Sequence, residues 1–266
     1  MSLLHAVLLG IIQGITEFLP ISSDGHLVLA DVLLDLPLEG KDALGFDILL
    51  HAGSLLALLV GYAAVWRDLI VKCLRGDRSG WRVVLLLVIA TIPGVIAGLL
   101  LEDAISEMRS LRAAGLGFLL TAFLLIVGEY FGRRRTSAVT TVKEITPLQA
   151  FLIGLEQAAA ILPGLSRSGS TVAIGRLLGL PRSLALDFSF LMAVPIIGGA
   201  VAKTLVDALT GDVVFPPPTV SVTGFVTAFI VSMGAISFLR IFVVRRSLAI
   251  FAWYLIPVGL IALLVS

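Results

Sequence analysis

The chain has 266 residues, of which 58% are hydrophobic and only 14% charged, and its mean hydropathy is +1.08. A soluble domain is nearer half apolar and a quarter charged, so a water-soluble globule, a disordered chain and a nucleic-acid binder are excluded. Nineteen basic groups nearly cancel eighteen acidic ones, and one cysteine with three histidines supports neither a disulfide framework nor a thiolate zinc site. What remains is an all-α integral membrane protein.

The N-terminus, Met1-Ser2-Leu3-Leu4-His5, has no basic leader and no Ala-x-Ala site, so no cleavable signal is expected. The first apolar stretch, 3–30, is broken by Phe18-Leu19-Pro20-Ile21-Ser22-Ser23-Asp24-Gly25-His26. Irregular backbone is tolerated at membrane depth only when buried in protein or lining a wet cavity. The stretch is therefore read as a re-entrant helix–break–helix hairpin. Three spans follow, at roughly 44–66, 83–101 and 113–131, each near the 20 or so apolar residues a bilayer requires. Cys73, beside Lys72 and Arg75, falls in a polar loop predicted over 67–82 and is not expected to act as a functional thiol. A second broken stretch, 148–180, carries Leu162-Pro163-Gly164-Leu165-Ser166-Arg167-Ser168-Gly169-Ser170-Thr171 and predicts a second hairpin. Spans at 184–206, 219–239 and 248–265 complete the chain.

Charge asymmetry orients these elements. Arg67, Lys72, Arg75, Arg78, Arg82, Arg133, Arg134, Arg135, Lys143, Arg176, Arg182, Arg240, Arg245 and Arg246 lie on one side. Only Lys41, Arg109, Arg112 and Lys203 lie on the other, with Asp31, Asp35, Glu39, Asp42, Glu102, Asp103, Glu107, Asp207 and Asp212. The positive-inside rule places the first set in the cytoplasm of a multi-pass plasma-membrane protein with both termini outside. The alternation holds only if neither hairpin spans.

The halves also repeat. An offset of 143 puts Gln13 on Glu156, Leu19-Pro20 on Leu162-Pro163 and Ser23 on Ser166, and an offset of 140 puts Leu44 on Leu184 and Asp47 on Asp187. One domain over 1–266 is expected, built of repeats at about 1–131 and 147–266. Three spans per repeat is an odd number, so the second copy is inverted. Such pairs place their binding groups where the broken elements meet.

Ionisable groups inside a membrane are costly and mark candidate sites. The first hairpin holds Gln13, Glu17, Ser22, Ser23, Asp24 and His26, and the second holds Glu156, Ser166, Arg167, Ser168, Ser170 and Thr171. Gln13 and Glu17 are four apart and share a helix face. They read either as a polar stripe between helices or as an amide oxygen and a carboxylate facing one cation. Ser22 or Ser23 suits a helix N-cap, yet His26 lies one turn after Ser23, and a Ser–His pair begins an activated nucleophile. His5 and His51 have no such company and read as structural or interfacial. Gly164 to Thr171 nearly spells a nucleotide-binding loop, but it lacks the lysine and follows no strand, so ATP is rejected. The anion physics carries over, because free N–H groups at a helix N-terminus and the planar fork of Arg167 suit phosphate. The structural alternative pairs Arg167 with Glu156 or Glu17. The ligand these features fit is a phosphorylated lipid, with its tail in the bilayer and its head at the hairpins.

At these motifs the chain resembles, over essentially its whole length, the undecaprenyl-diphosphate phosphatase family, the BacA type named for bacitracin resistance. The family's Glu/Gln-x-x-x-Glu element is met by Gln13 and Glu17, and continues through Phe18-Leu19-Pro20-Ile21-Ser22-Ser23 to Gly25-His26. Its P-G-x-S-R-S-x-x-T element is met by Pro163 to Thr171. The chain departs where the family usually reads Ser-Ser-Thr-Gly-His, since Asp24 replaces the threonine, and Gln13 is the neutral option of the first element. The resemblance implies hydrolysis of a polyprenyl diphosphate to the monophosphate, which recycles the lipid carrier of cell-wall glycan. It implies a divalent metal, Mg2+ or Ca2+, at Glu17 and Gln13. It makes Glu17 and His26 catalytic, Ser23 a nucleophile or phosphate ligand, and Arg167, Ser166, Ser168, Thr171 and Ser22 phosphate binders. The expected partners are the lipid and the bilayer, not nucleic acid, with a homodimer left open. A lipid-phosphate flippase with the same inverted-repeat site is the competing class, although transport needs no nucleophile.

Overall fold

A computed structural model describes residues 1–34, 41–101, 107–134 and 139–266. The charges read at Asp35, Glu39, Glu102, Asp103 and Arg135 lie outside the described residues. The described residues form helices without strands. In chain order the helices are α1 (Leu3–Thr16), α2 (Ser23–Leu34), α3 (Lys41–Gly61), α4 (Ala63–Leu74), α5 (Arg78–Leu100), α6 (Leu111–Gly132), α7 (Pro147–Ala159), α8 (Arg167–Leu177), α9 (Arg182–Thr210), α10 (Pro218–Arg245) and α11 (Ala252–Val265). Short 3-10 turns at Val142–Glu144 and Leu248–Phe251 precede α7 and α11.

Among the described residues six helical segments are long and apolar enough to cross a membrane, at Leu44–Gly61, Arg78–Leu100, Leu111–Gly132, Arg182–Thr210, Pro218–Arg245 and Leu248–Val265. Each falls on one of the six expected spans. The first differs in one respect. The stretch read as 44–66 ends at Gly61, because Tyr62 leaves helical geometry (φ −111°, ψ 18°). Its phenol donates a 2.7 Å hydrogen bond to Asp187 on α9. The chain resumes as α4, so Cys73 sits in a helix and not in the polar loop expected over 67–82. That loop shrinks to the turn before α5, where the Asp77 side chain accepts from Ser79 N–H.

The two broken stretches form as helix–break–helix pairs. At 1.5 Å per residue α1 and α7 reach only about 20 Å, short of the roughly 30 Å hydrocarbon core. Each packs against its own second arm, α1 on α2 and α7 on α8. The breaks have local causes. Pro20 and Pro163 interrupt the backbone ladder. Ser22 takes a left-handed φ of 72° and Gly164 one of 80°. A Cβ on Gly164 would fall on the Ala114 carbonyl of α6, so only glycine fits this turn.

The long helices hold the breaks in place. α1 packs on α10 and α7 on α5, α3 lies between α9 and α10, and α6 packs on α11 while receiving both α8 and α2. Phe18, Phe46, Phe118, Phe188 and Phe190 are fully buried. Phe18, from the first break, meets Phe190 of α9 edge-on at 5.3 Å. Lipid tails are as apolar as these rings, so the gain here comes from close packing.

Candidate active site

The two breaks meet. Arg167, the first residue of α8, places Nη2 2.6 Å from Glu17 Oε1 across the junction. Ser168 donates to the Leu19 carbonyl of the first break at 3.1 Å. Of the two partners open to Arg167, the structure selects Glu17, and the Ser170 hydroxyl donates to the Arg167 carbonyl at 3.5 Å within the second hairpin.

Glu17 organises what surrounds it. Its Oε2 accepts from Ser23 Oγ at 2.7 Å and from Gln13 Nε2 at 3.1 Å, with His51 Nε2 at 3.6 Å. Ser23 is free to do this because Ser22 caps α2, its Oγ accepting from Gly25 N–H at 3.3 Å. Ser166 plays the same part for α8, accepting from Gly169 N–H at 3.1 Å while its own N–H donates to Thr121 Oγ1 of α6 at 2.9 Å. The other first-turn N–H groups of α8 have no acceptor within the helix, as at any helix start.

These groups line a cavity of about 340 Å³. Glu17, Ser22, Ser23, Asp24, Ser166 and Arg167 face it, with Asp47, His51 and Arg109 opposite and Ile196, Ile197 and Ala200 of α9 as an apolar wall. The remaining expected site residues lie outside it. Gln13 stands behind Glu17, fully buried. Thr171 donates to the Arg167 carbonyl at 2.7 Å and meets Ser189 Oγ of α9 at 2.8 Å. Ser168 is spent on Leu19.

His26 does not pair with Ser23. Its Nδ1 lies 2.7 Å from the Ser22 carbonyl and its Nε2 2.8 Å from the Tyr254 hydroxyl, with the ring between Phe118 and Tyr254. A carbonyl only accepts, so Nδ1 carries the proton and, in the neutral ring, Nε2 accepts from Tyr254. The residue before Ser23 takes the bond: the Ser22 carbonyl, four residues before His26, accepts from the His26 backbone N–H at 3.3 Å and from the ring at 2.7 Å. The imidazole that faces Glu17 is that of His51, which sequence reasoning set aside. Its Nδ1 rests on the Asp47 carbonyl one turn earlier at 2.9 Å. Arg109 was also missed. Its Nη2 lies 2.7 Å from Asp47 and its Nε 3.3 Å from Asp24, so the carboxylate that replaces the family's threonine arrives with a cation beside it.

Among the described residues no three His, Cys, Asp or Glu side chains converge as a metal cage. The expected pair still suits a hard cation that completes its shell elsewhere. Gln13 Oε1 is buried without a hydrogen-bond partner, on the amide whose Nε2 donates to Glu17, and oxygen donors of this kind suit Mg2+ or Ca2+. A second buried atom also lacks a partner: Arg167 Nη1, the other prong of the fork whose Nη2 holds Glu17.

A family model described as bacitracin resistance protein BacA matches residues 6–261. The chain belongs to the BacA family. Among relatives of this family, undecaprenyl-diphosphatase of Pelotomaculum thermopropionicum is 40% identical over 100% of this chain and 97% of its own length. That of Geobacillus thermodenitrificans is 38% identical over 98% and 97%, and that of Methanosphaera stadtmanae is 35% identical over 100% and 99%. The BacA resemblance carried by Gln13 to His26 and by Pro163 to Thr171 therefore holds along the whole chain.

Proposed function

We propose that the chain is an undecaprenyl-diphosphate phosphatase, which releases inorganic phosphate from the lipid diphosphate and returns the lipid monophosphate to cell-wall glycan synthesis. The observation that carries this reading is the linked series Ser23–Glu17–Arg167, a hydroxyl, a carboxylate and a guanidinium within two hydrogen bonds at the meeting of the breaks. The unpartnered Nη1 of Arg167, with Ser166 and the α8 N-terminus, receives the terminal phosphate. Ser23 presents its oxygen to phosphorus, and Glu17 accepts its proton. The phosphorus-to-bridging-oxygen bond breaks, and the lipid monophosphate leaves with the bridging oxygen. Water then removes the phosphate from Ser23. Charge neutralisation and positioning dominate such transfers. A divalent cation would be held by Glu17 and Gln13, and it would supply neutralisation of the diphosphate. His26 acts as a positioning residue for the Ser22–Ser23 turn, while Thr171 and Ser168 fix α8. All these groups come from one chain, so the chemistry needs no homodimer.

The repeats enter the same reading. The offset of 143 carries α1 onto α7, and that of 140 carries the start of α5 onto the start of α10. The packing of α1 on α10 mirrors that of α7 on α5, which supports an inverted pair of re-entrant hairpins. With the basic loops cytoplasmic, the cavity lies toward the outer face, since its walls come from the first turns of α3, from Arg109 and from the second half of α9. In a Cys73→Ser background, cysteines placed in 67–82 or 139–146 should label only from the cytoplasmic side, and those in 36–42 only from outside. Labelling of 36–42 from the cytoplasm would mean that 3–30 spans.

Purified protein in detergent should release phosphate from a prenyl diphosphate, and a chelator should suppress it. A flippase binds the same head group but has no membrane to work across in detergent, so absence of release would favour transport.

A further inference from the structure

A second charged cluster lies at the other end of α6. Glu129, nearly fully buried, accepts from Arg182 Nε at 2.8 Å and from Arg182 Nη2 at 2.7 Å. Arg176 and Arg133 each bring Nε to 3.8 Å from the same carboxylate. Three guanidinium groups thus share one carboxylate, leaving a net double positive charge. Arg176 is not satisfied by this arrangement. Its Nη1 donates to the Leu180 carbonyl at 2.7 Å, but its Nε is buried without a hydrogen-bond partner, and its side chain is nine-tenths buried. The guanidinium lies flat over Gly132, where a Cβ would come within 3.0 Å of it.

The cluster borders a cavity of about 480 Å³. Arg133, Arg176 and Arg182 line it, together with Ser183 at the start of α9. That 29-residue helix begins after Pro181 with no side-chain cap, so its first N–H groups add to the positive field at the cavity. The opposite wall is apolar, Val243 and Val244 of α10, and Val244 is 70% exposed. A buried positive floor and an apolar wall open to the bilayer fit one chemistry, a phosphate that carries a hydrocarbon chain.

We propose that this cavity is a binding site for the phosphate head group of an anionic membrane lipid, separate from the Glu17–Arg167 cavity. The two stand at opposite ends of α6. Arg109 of the first precedes the helix and Gly132 of the second ends it, about 33 Å apart by helix rise. The lipid is drawn from the leaflet on the side of the basic loops, where basic pockets between helices attract anionic heads. The role does not depend on the phosphatase reading, because no residue is shared.

The test uses the full-length protein in phosphatidylcholine nanodiscs doped with phosphatidic acid bearing a photoreactive diazirine on its acyl chain. Crosslinks should concentrate on 179–183 and 243–244, and excess unlabelled phosphatidic acid should remove them. Inorganic phosphate at equal concentration should not. Arg133 is mostly exposed, so Arg133→Glu reverses a charge at the rim; it removes one 3.8 Å ion pair to Glu129 and leaves both Arg182 hydrogen bonds to that carboxylate in place. It should cut the crosslink yield about tenfold and leave phosphate release in detergent unchanged. Crosslinks spread evenly round the apolar belt or confined to the Glu17 cavity would overturn the proposal. So would equal yield in Arg133→Glu, or competition by inorganic phosphate as strong as by the lipid.

Discussion

Arg167→Lys should lose about 10²–10³ of turnover, the usual cost of removing one donor aimed at a transition state. The side chain does two jobs with one rigid fork. Nη2 holds Glu17 at 2.6 Å, and Nη1 is buried with nothing to bond. A lysine keeps the charge but has one nitrogen on a flexible stem, so it can hold the carboxylate or meet the phosphate, not both. Folding should survive, since the Glu17 charge remains paired. Arg167→Ala is a different experiment. It leaves a carboxylate that is 7% exposed without its cation, and breaking such a pair costs about 3–5 kcal/mol. The variant should melt well below the wild type. Adding Glu17→Gln to it removes the stranded charge and should restore much of the melting temperature while activity stays lost. Initial phosphate release and thermal unfolding of the three variants separate the roles. Arg167→Lys protein with more than a tenth of wild-type turnover would remove Arg167 from the phosphate cradle.

The spans were legible because lipid demands long apolar helices, and six such runs can be counted directly. The breaks were legible for the converse reason: Pro20, Pro163 and Gly164 interrupt a helix, and Ser22 and Ser166 suit the start of the next one. Pattern alone did not reach the contacts made by unmotivated residues. Nothing around His51 marks it as facing Glu17, since that depends on how α3 lies against α1. The only local trace is Asp47 one turn earlier, the residue whose repeat counterpart is Asp187. Arg109 looked like a stray charge in an acidic loop until Asp24 and Asp47 came together round it. His26 misled because spacing fixes distance along a helix but not the backbone conformation of the residue before it. The Ser22 carbonyl, four residues before His26, takes the ring and leaves Ser23 for Glu17. Tyr254, from the last helix, enters only through tertiary packing.

Glu17→Gln isolates the charge at the centre of the site. The amide keeps the shape, but its single oxygen can accept from Ser23 or from Arg167 and not from both, and it cannot take the Ser23 proton. Loss of a positioned proton acceptor costs roughly 10²–10⁴ in rate. The change also strips Arg167, a side chain only 13% exposed, of its counter-charge. The variant should therefore be less stable, and inorganic phosphate should raise its melting temperature more than it raises that of the wild type, because the free fork then takes the anion. The metal response is a separate readout. With Glu17 and Gln13 as the cation's protein oxygens, Glu17→Gln should raise the half-saturating Mg2+ or Ca2+ concentration, and high metal should recover part of the rate through the weaker amide oxygen. Gln13→Glu should do the reverse, placing a second carboxylate where Oε1 now has no partner. The two variants and the wild type are compared by initial phosphate release against metal concentration. Active Glu17→Gln protein with an unchanged half-saturating concentration would take Glu17 out of the metal site, while a phosphate-dependent rise in melting temperature in the same protein would keep it as the partner of Arg167.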